Sequence, residues 1–177
     1  MAARKAAAEG GDGAAKGNTR VGILTVSDLG AVGQRADTSG DAIVDWAVER
    51  GYDVVVRSVV ADETDRIAGK LARWADSNEV DVVLTTGGTG LTQRDVTPEA
   101  TVAVLEREAP GIAEALRAGS AAHFPRAWLS RGRAGTRGRT LIVNLPGSAG
   151  GVKDGLAVLT TFIDHAVELA SGEKTSH

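Results

Sequence analysis

The chain has no cysteine and only three histidines in 177 residues, His123, His165 and the terminal His177. That excludes disulfide frameworks, thiolate metal sites, iron–sulfur ligation and cysteine nucleophiles, and leaves too few imidazoles for a multi-histidine zinc centre. Aromatic side chains are scarce, with three Trp, one Tyr and two Phe, a thin supply for stacking nucleobases. No apolar run approaches the roughly 18 residues of a membrane span, and the N-terminus carries no signal-peptide core. The expectation is a cytoplasmic protein without membrane or nucleic-acid partners. Its chemistry must run on carboxylates, hydroxyls, arginines and backbone amides.

The length suits one compact domain preceded by a tail. Ala and Gly supply eleven of the first nineteen residues, which cannot bury enough apolar surface to offset the entropy of ordering, so residues 1–19 read as flexible. From residue 20 to 177 short β-branched runs alternate with helical periodicities. Strands are expected at Val21–Val26, Tyr52–Val60, Val80–Leu84 and Thr140–Val143. Helices are expected from Thr38 (with Asp41 as a capping-box partner) to Gly51, over Thr64–Ser77, from an N-cap at Thr97 with Pro98 behind it, over Ile112–Ala122, and after Gly147. Strands separated by helices argue for βαβ units, hence a three-layer α/β/α domain with a mainly parallel sheet. Ligands of such folds bind beyond the carboxyl ends of the strands, and the unusual residues of this chain all follow strand ends.

These are Ser27-Asp28, Asp62-Glu63, the segment Thr86-Gly87-Gly88-Thr89-Gly90 with Arg94-Asp95 behind it, and Asn144-Leu145-Pro146-Gly147-Ser148. Three glycines in four positions allow successive N–H groups to point into one concavity, a nest for anions; a tight turn that merely needs glycine is the plainer reading. The loop has neither the lysine of a Walker A motif nor the spacing of a Rossmann fingerprint. A carboxylate such as Asp95 beside a phosphate nest requires a cation between them, and Mg²⁺ is commonly held by one or two carboxylates plus phosphate oxygens. Asp95 has a simpler alternative in pairing with Arg94 or capping the following helix, as Asp62 has in favouring a helix dipole and Ser148 in capping the last helix.

Acidic residues are absent from Ala115 to Lys153, a stretch carrying seven cations; for the net −3, the remainder sums to −10. Pro125–Arg139 lacks periodicity and reads as a loop with five arginines, whose guanidinium forks suit phosphate. A solvated basic loop and a nucleic-acid surface are the competing readings, the latter disfavoured by net charge and aromatic poverty.

The run Thr85–Ala100, with Ser27-Asp28, Ser130-Arg131, Ala134-Gly135 and Asn144–Ser148 in order, resembles the molybdenum-cofactor biosynthesis family in its adenylyltransferase branch, the Mog- and MoaB-type proteins and their plant G-domain relatives. The resemblance spans roughly residues 20–170. It implies an enzyme that transfers AMP from Mg-ATP to the terminal phosphate of molybdopterin and releases pyrophosphate. It further implies that Gly87–Gly90 hold phosphate, that Asp62 and Asp95 serve activity and Mg²⁺, that Ser130 and Arg131 contact phosphate, and that Asn144–Ser148 line the nucleotide side. A homotrimer or hexamer, and hand-over of product to a molybdenum insertase, belong to the same expectation. Ala61 departs from the proline frequent in close relatives, and the short connection after the last strand resembles the MoaB subset. The alternative function is a MoaB-type carrier that binds molybdopterin without catalysing transfer.

Overall fold

A computed structural model describes residues 17–173; residues 1–16 of the expected tail lie outside them. The elements follow in the order β1 (Arg20–Val26), α1 (Asp28–Ala31), α2 (Thr38–Glu49), β2 (Asp53–Val60), α3 (Thr64–Asp76), β3 (Val82–Thr86), α4 (Thr97–Val104), β4 (Arg107–Glu108), α5 (Pro110–Ala121), β5 (Ala134–Arg137), β6 (Thr140–Leu145), α6 (Ala149–Leu159) and α7 (Ile163–Ser171), with a 3-10 turn at Pro125–Leu129. They form one α/β domain around a six-stranded sheet of order β2-β1-β3-β6-β5-β4. The strands β2, β1, β3 and β6 run parallel, while β5 pairs antiparallel with β6 and with β4.

Both faces of the sheet are covered, which is why β3 and β6 are buried at every position. Val21, Ile23, Val82, Leu84, Leu141 and Val143 pack against α2, α5, α6 and α7; Leu24, Val26, Val83 and Ile142 pack on the other side against α3 and α4. Of the stripe that spacing implies at Ile43, Val44, Ala47 and Val48, Ile43 and Ala47 are buried, Val44 is half-buried and Val48 is exposed; Ile67, Leu71 and Trp74 on α3 are buried as their spacing implies.

The parallel register builds the site. Thr25 stands beside Thr86 and Thr86 beside Leu145, so the β3 loop emerges between Val26 and Pro146; Val26 beside Val60 brings Asp28 next to Asp62.

Four expectations are corrected. The helix α2 is capped by Asp37, whose carboxylate accepts from the Gly40 amide, and not by Thr38. Thr97 is the first helical residue of α4 instead of its cap. The supposed arginine loop holds the 3-10 turn and the short strand β5, and β4 is a two-residue edge strand too brief for any periodicity. The last helix is two, parted at residues 160–162, where Thr160 and Thr161 turn their hydroxyls back onto the Leu156 and Val158 carbonyls.

Asp37 joins these layers. It accepts from the Thr25 hydroxyl at 2.8 Å, from the Gly40 amide at 2.9 Å and from Arg57 at 2.7 Å. Burial alone would raise its pKa, but Arg57, the Gly40 amide and the Thr25 hydroxyl together hold it below the ordinary 3.8. A depressed carboxylate contributes stability above its unfolded pKa and loses it as pH falls toward the folded value. Asp37→Asn is therefore expected to cost about 1–3 kcal/mol at neutral pH. In urea denaturation followed against pH, the gap from wild type should close below about pH 4; a gap independent of pH would refute the assignment.

Candidate functional site

At the carboxyl edge of the sheet, Gly87 and Gly88 have φ of +96° and +68°, a region other residues enter only at a cost. Contacts add a second reason for glycine. A Cβ on Gly87 would stand 2.3 Å from the Val26 carbonyl oxygen, and one on Gly88 would stand 2.2 Å from Thr97 Oγ1.

Every carbonyl from Gly87 to Gly90 is engaged by the protein. Thr97 Oγ1 donates to Gly87 O at 2.9 Å and the Thr97 amide to Gly88 O at 3.1 Å. The Arg131 amide donates to Thr89 O at 2.8 Å and Arg131 Nε to Gly90 O at 2.8 Å. Each carbonyl thus faces a protein donor; the Gly87 amide is also engaged, donating to Leu145 O at 3.3 Å, so the donors the loop turns to a ligand are the amides of Gly88, Thr89 and Gly90. The neighbouring loop is treated alike: Thr86 Oγ1 donates to Pro146 O and Ser39 Oγ to Gly147 O, both at 2.7 Å.

Two clefts flank the loop. One of about 860 Å³ lies between Ser27, Asp28, Asp37, Ser39 and Asp62 on one side and Thr86, Gly87 and Gly88 on the other. A second of about 310 Å³ is more apolar, lined by Leu116, Phe124 and Leu129 together with Thr89, Gly90, Asp95 and Ser130. Gly88, Gly147 and Ser148 line both. Thr38 and Ser39 at the start of α2, and Ser148 and Ala149 at the start of α6, face the larger cleft. Helix N-termini bring unpaired amides and positive dipole ends there.

The acids stand opposite. The Asp28 amide donates to Asp62 Oδ2 and the Asp62 amide to Asp28 Oδ1, each at 2.9 Å, a reciprocal pair that ties the ends of β1 and β2. Arg94 grips Asp28 through Nε at 3.0 Å and Nη2 at 2.7 Å, holding that carboxyl below its usual range with help from the Asp62 amide. Asp62 is pushed the other way by burial, and the neighbouring charges of Asp28 and Asp95 add to the rise. Asp95 Oδ2 accepts from the Thr92 amide and hydroxyl. The Cβ positions of Gly88 and Gly90 lie 3.2 Å from Asp62 Oδ1 and 2.8 Å from Asp95 Oδ2, so the two acids border the glycine loop.

These donors suit a cation that shares its shell. Among the described residues no group of three or more His, Asp or Glu is assembled to hold a metal. A cation between Asp62 and Asp95 would complete its shell from phosphate oxygens and water, as Mg²⁺ commonly does.

Other expected residues stand differently. Ser27 Oγ caps α1 and Ser148 Oγ caps α6. Asn144 lines the smaller cleft but is almost fully buried, and its side chain is engaged by the Arg133 amide, Thr85 Oγ1 and Thr101 Oγ1. Ser130 Oγ accepts from the Gly132 amide. The arginine-rich stretch is answered in space: Arg131 pairs with Glu99, Arg133 with Glu108 and Arg137 with Asp76. Sequence reading missed Asp37 and Ser39, and read Thr97, close behind the loop, as a helix cap. Asp37, as an Asx residue at a helix start, left a local signal.

Replacing Gly88 by alanine should cost about 1–3 kcal/mol through positive φ and overlap with Thr97. It should also weaken Mg-ATP binding in calorimetry. A variant with unchanged melting and unchanged nucleotide affinity would refute the loop assignment.

Residues 22–165 match the model of a family described as a probable molybdopterin binding domain. The chain is 38% identical over 154 residues to molybdopterin adenylyltransferase of Helicobacter pylori, covering 86% of this chain and 88% of that protein. It is 42% identical over 149 residues to the molybdenum cofactor synthesis protein cinnamon of Drosophila melanogaster, covering 84% of this chain but only 25% of that longer protein. The crystal structure of the molybdopterin biosynthesis enzyme MoaB from Thermus thermophilus superposes with a TM-score of 0.83 at 47% identity, covering 87% of this chain and 97% of that one.

Proposed function

Since the chain belongs to the family of probable molybdopterin binding domains, we propose that it acts in molybdenum cofactor biosynthesis as a molybdopterin adenylyltransferase, moving AMP from Mg-ATP to molybdopterin. The observation that carries this reading is the glycine loop with every carbonyl tied back, bordered by Asp62 and Asp95. Loop amides of that kind hold phosphate, and the helix starts at Thr38 and Ala149 favour the same charge.

The terminal phosphate of molybdopterin attacks the α-phosphorus of ATP. A new P–O bond forms, the bond to the bridging oxygen breaks, and pyrophosphate leaves with the electron pair. The attacking oxygen is already anionic, so no strong base is needed; the enzyme's part is alignment and charge stabilisation. In this reading Gly87–Gly90 hold the triphosphate, Ser27 with Asp28 borders the larger cleft, Pro146-Gly147-Ser148 separates the two clefts, and Ser130 lines the smaller. Asp62 and Asp95 would hold Mg²⁺, which supplies neutralisation of the charge on the departing pyrophosphate.

In the same reading the protein works in the cytoplasm. No helix among the described residues is long and apolar enough to cross a membrane. Hand-over of adenylylated product to a molybdenum insertase is the next step of the reading, supported by the match to one quarter of cinnamon. Leu91, Trp128 and Leu129 stand more than half exposed, apolar surface that assembly into a homotrimer or hexamer would cover. Light scattering at micromolar concentration should return three or six chain masses; a monomer would contradict the assembly.

The activity is tested by pyrophosphate release from Mg-ATP with molybdopterin. Asp95→Asn and Asp62→Asn should each lower the rate by about 10²-fold or more while retaining molybdopterin binding in equilibrium dialysis. Pterin binding by wild type without pyrophosphate release would establish a carrier instead.

A further inference from the structure

The family resemblance implies a phosphate contact for Arg131, yet its donors face the protein. Its amide holds Thr89 O, Nε holds Gly90 O at 2.8 Å, Nη2 holds Asp95 O at 2.6 Å, and the outer edge of the guanidinium meets the Glu99 carboxylate. Glu99 lies in the first turn of α4, two residues beyond the Thr97 that holds Gly87 and Gly88. The start of α4 therefore fixes the glycine loop twice, directly through Thr97 and indirectly through Glu99 and Arg131.

From this we infer that Arg131 is a positioning residue, oriented by Glu99, that clamps the main chain on both sides of the turn from Gly90 to Asp95 and so places the Asp95 carboxylate against the loop. The Asp95 side chain is set separately, by the Thr92 amide and hydroxyl. Backbone and carboxylate are thus held by different groups, and Arg131 controls the first. A planar fork can reach Gly90 O, Asp95 O and Glu99 together, whereas an ammonium is a single point of charge on a flexible stem.

That difference sets the experiment. Arg131→Lys, Arg131→Gln and Glu99→Gln are compared in the full chain by amide hydrogen exchange and by steady-state kinetics. Exchange at the Gly87, Thr92 and Asp95 amides, which donate to Leu145 O, Asp95 Oδ2 and Thr92 O, should accelerate about tenfold or more in both Arg131 variants, with exchange in β1 and β6 unchanged. The turnover number should fall about tenfold or more in both, with a smaller change in the KM for ATP. Glu99→Gln should lower turnover in the same direction without improving ATP affinity. A phosphate-contacting arginine predicts the opposite: lysine preserves most of the rate, removal of Glu99 tightens ATP, and loop exchange stays at the wild-type rate. Any of these overturns the inference. The kinetic arm rests on adenylyl transfer; a wild type without transfer refutes that function alone, and the exchange arm still decides the role of Arg131.

Discussion

A backbone carbonyl buried at a strand end needs a donor, and in this protein the donors for Gly87 through Gly90 all come from behind the loop, from Thr97 and Arg131. Much of the site follows from that constraint. The loop carbonyls face donors on the protein side and the Gly87 amide donates to Leu145 O, so the amides of Gly88, Thr89 and Gly90 are the donors turned to a ligand. Thr97 can reach the loop only if the residue beside its hydroxyl has no side chain, which is why Gly88 has no room for a Cβ. Arg131 can reach Gly90 only because the stretch before β5 folds back over α4, and Glu99 keeps its guanidinium turned that way. Asn144 serves the same scaffold from within the sheet, linking β6 to Thr85 of β3 and Thr101 of α4.

The electrostatics follow the same division between support and site. Along the sequence, the stretch from Ala115 to Lys153 is purely cationic. In space, three of its arginines meet Glu99, Glu108 and Asp76, and Arg117 donates to the Ser130 and Gly132 carbonyls. What the larger cleft offers an anion is therefore mostly backbone, the loop amides and the first turns of α2 and α6, joined by the Arg35 side chain on its lining. What it offers a cation is the acidic border, where Arg94 holds Asp28 ionised and burial makes Asp62 the reluctant partner. Dipoles on one side and carboxylates on the other would, under the proposed function, suit a phosphate accompanied by its metal more than either alone.

The parts legible in the sequence were those with local causes. The buried strands β1, β3 and β6 show continuous β-branched runs, α3 shows its apolar stripe, and the glycine loop stands out because three glycines in four positions are hard to explain otherwise. The placement of the unusual residues at strand ends followed from the alternation of strands and helices. What could not be read depends on partners distant in the chain. The strand β5 contains Gly135 because the Arg107 carbonyl passes where a Cβ would be, and nothing near residue 135 announces that neighbour. Thr97 looked like a cap because a threonine before a proline usually is one; its hydroxyl instead serves a residue ten positions earlier. Three of the five arginines of Pro125–Arg139 meet carboxylates on α3, α4 and β4, partners far along the chain that the sequence could not announce, while Arg126 lines the smaller cleft.

The central claim is that the glycine loop meets phosphate through its own amides. The most direct measurement is a nitrogen–proton correlation spectrum of the labelled protein during titration with Mg-ATP. The amides of Gly88, Thr89 and Gly90 should show the largest downfield shifts, saturating together with those at the starts of α2 and α6. Saturable binding that leaves these loop amides unmoved, with shifts confined to Arg126, Arg133 or Arg139, would contradict the account.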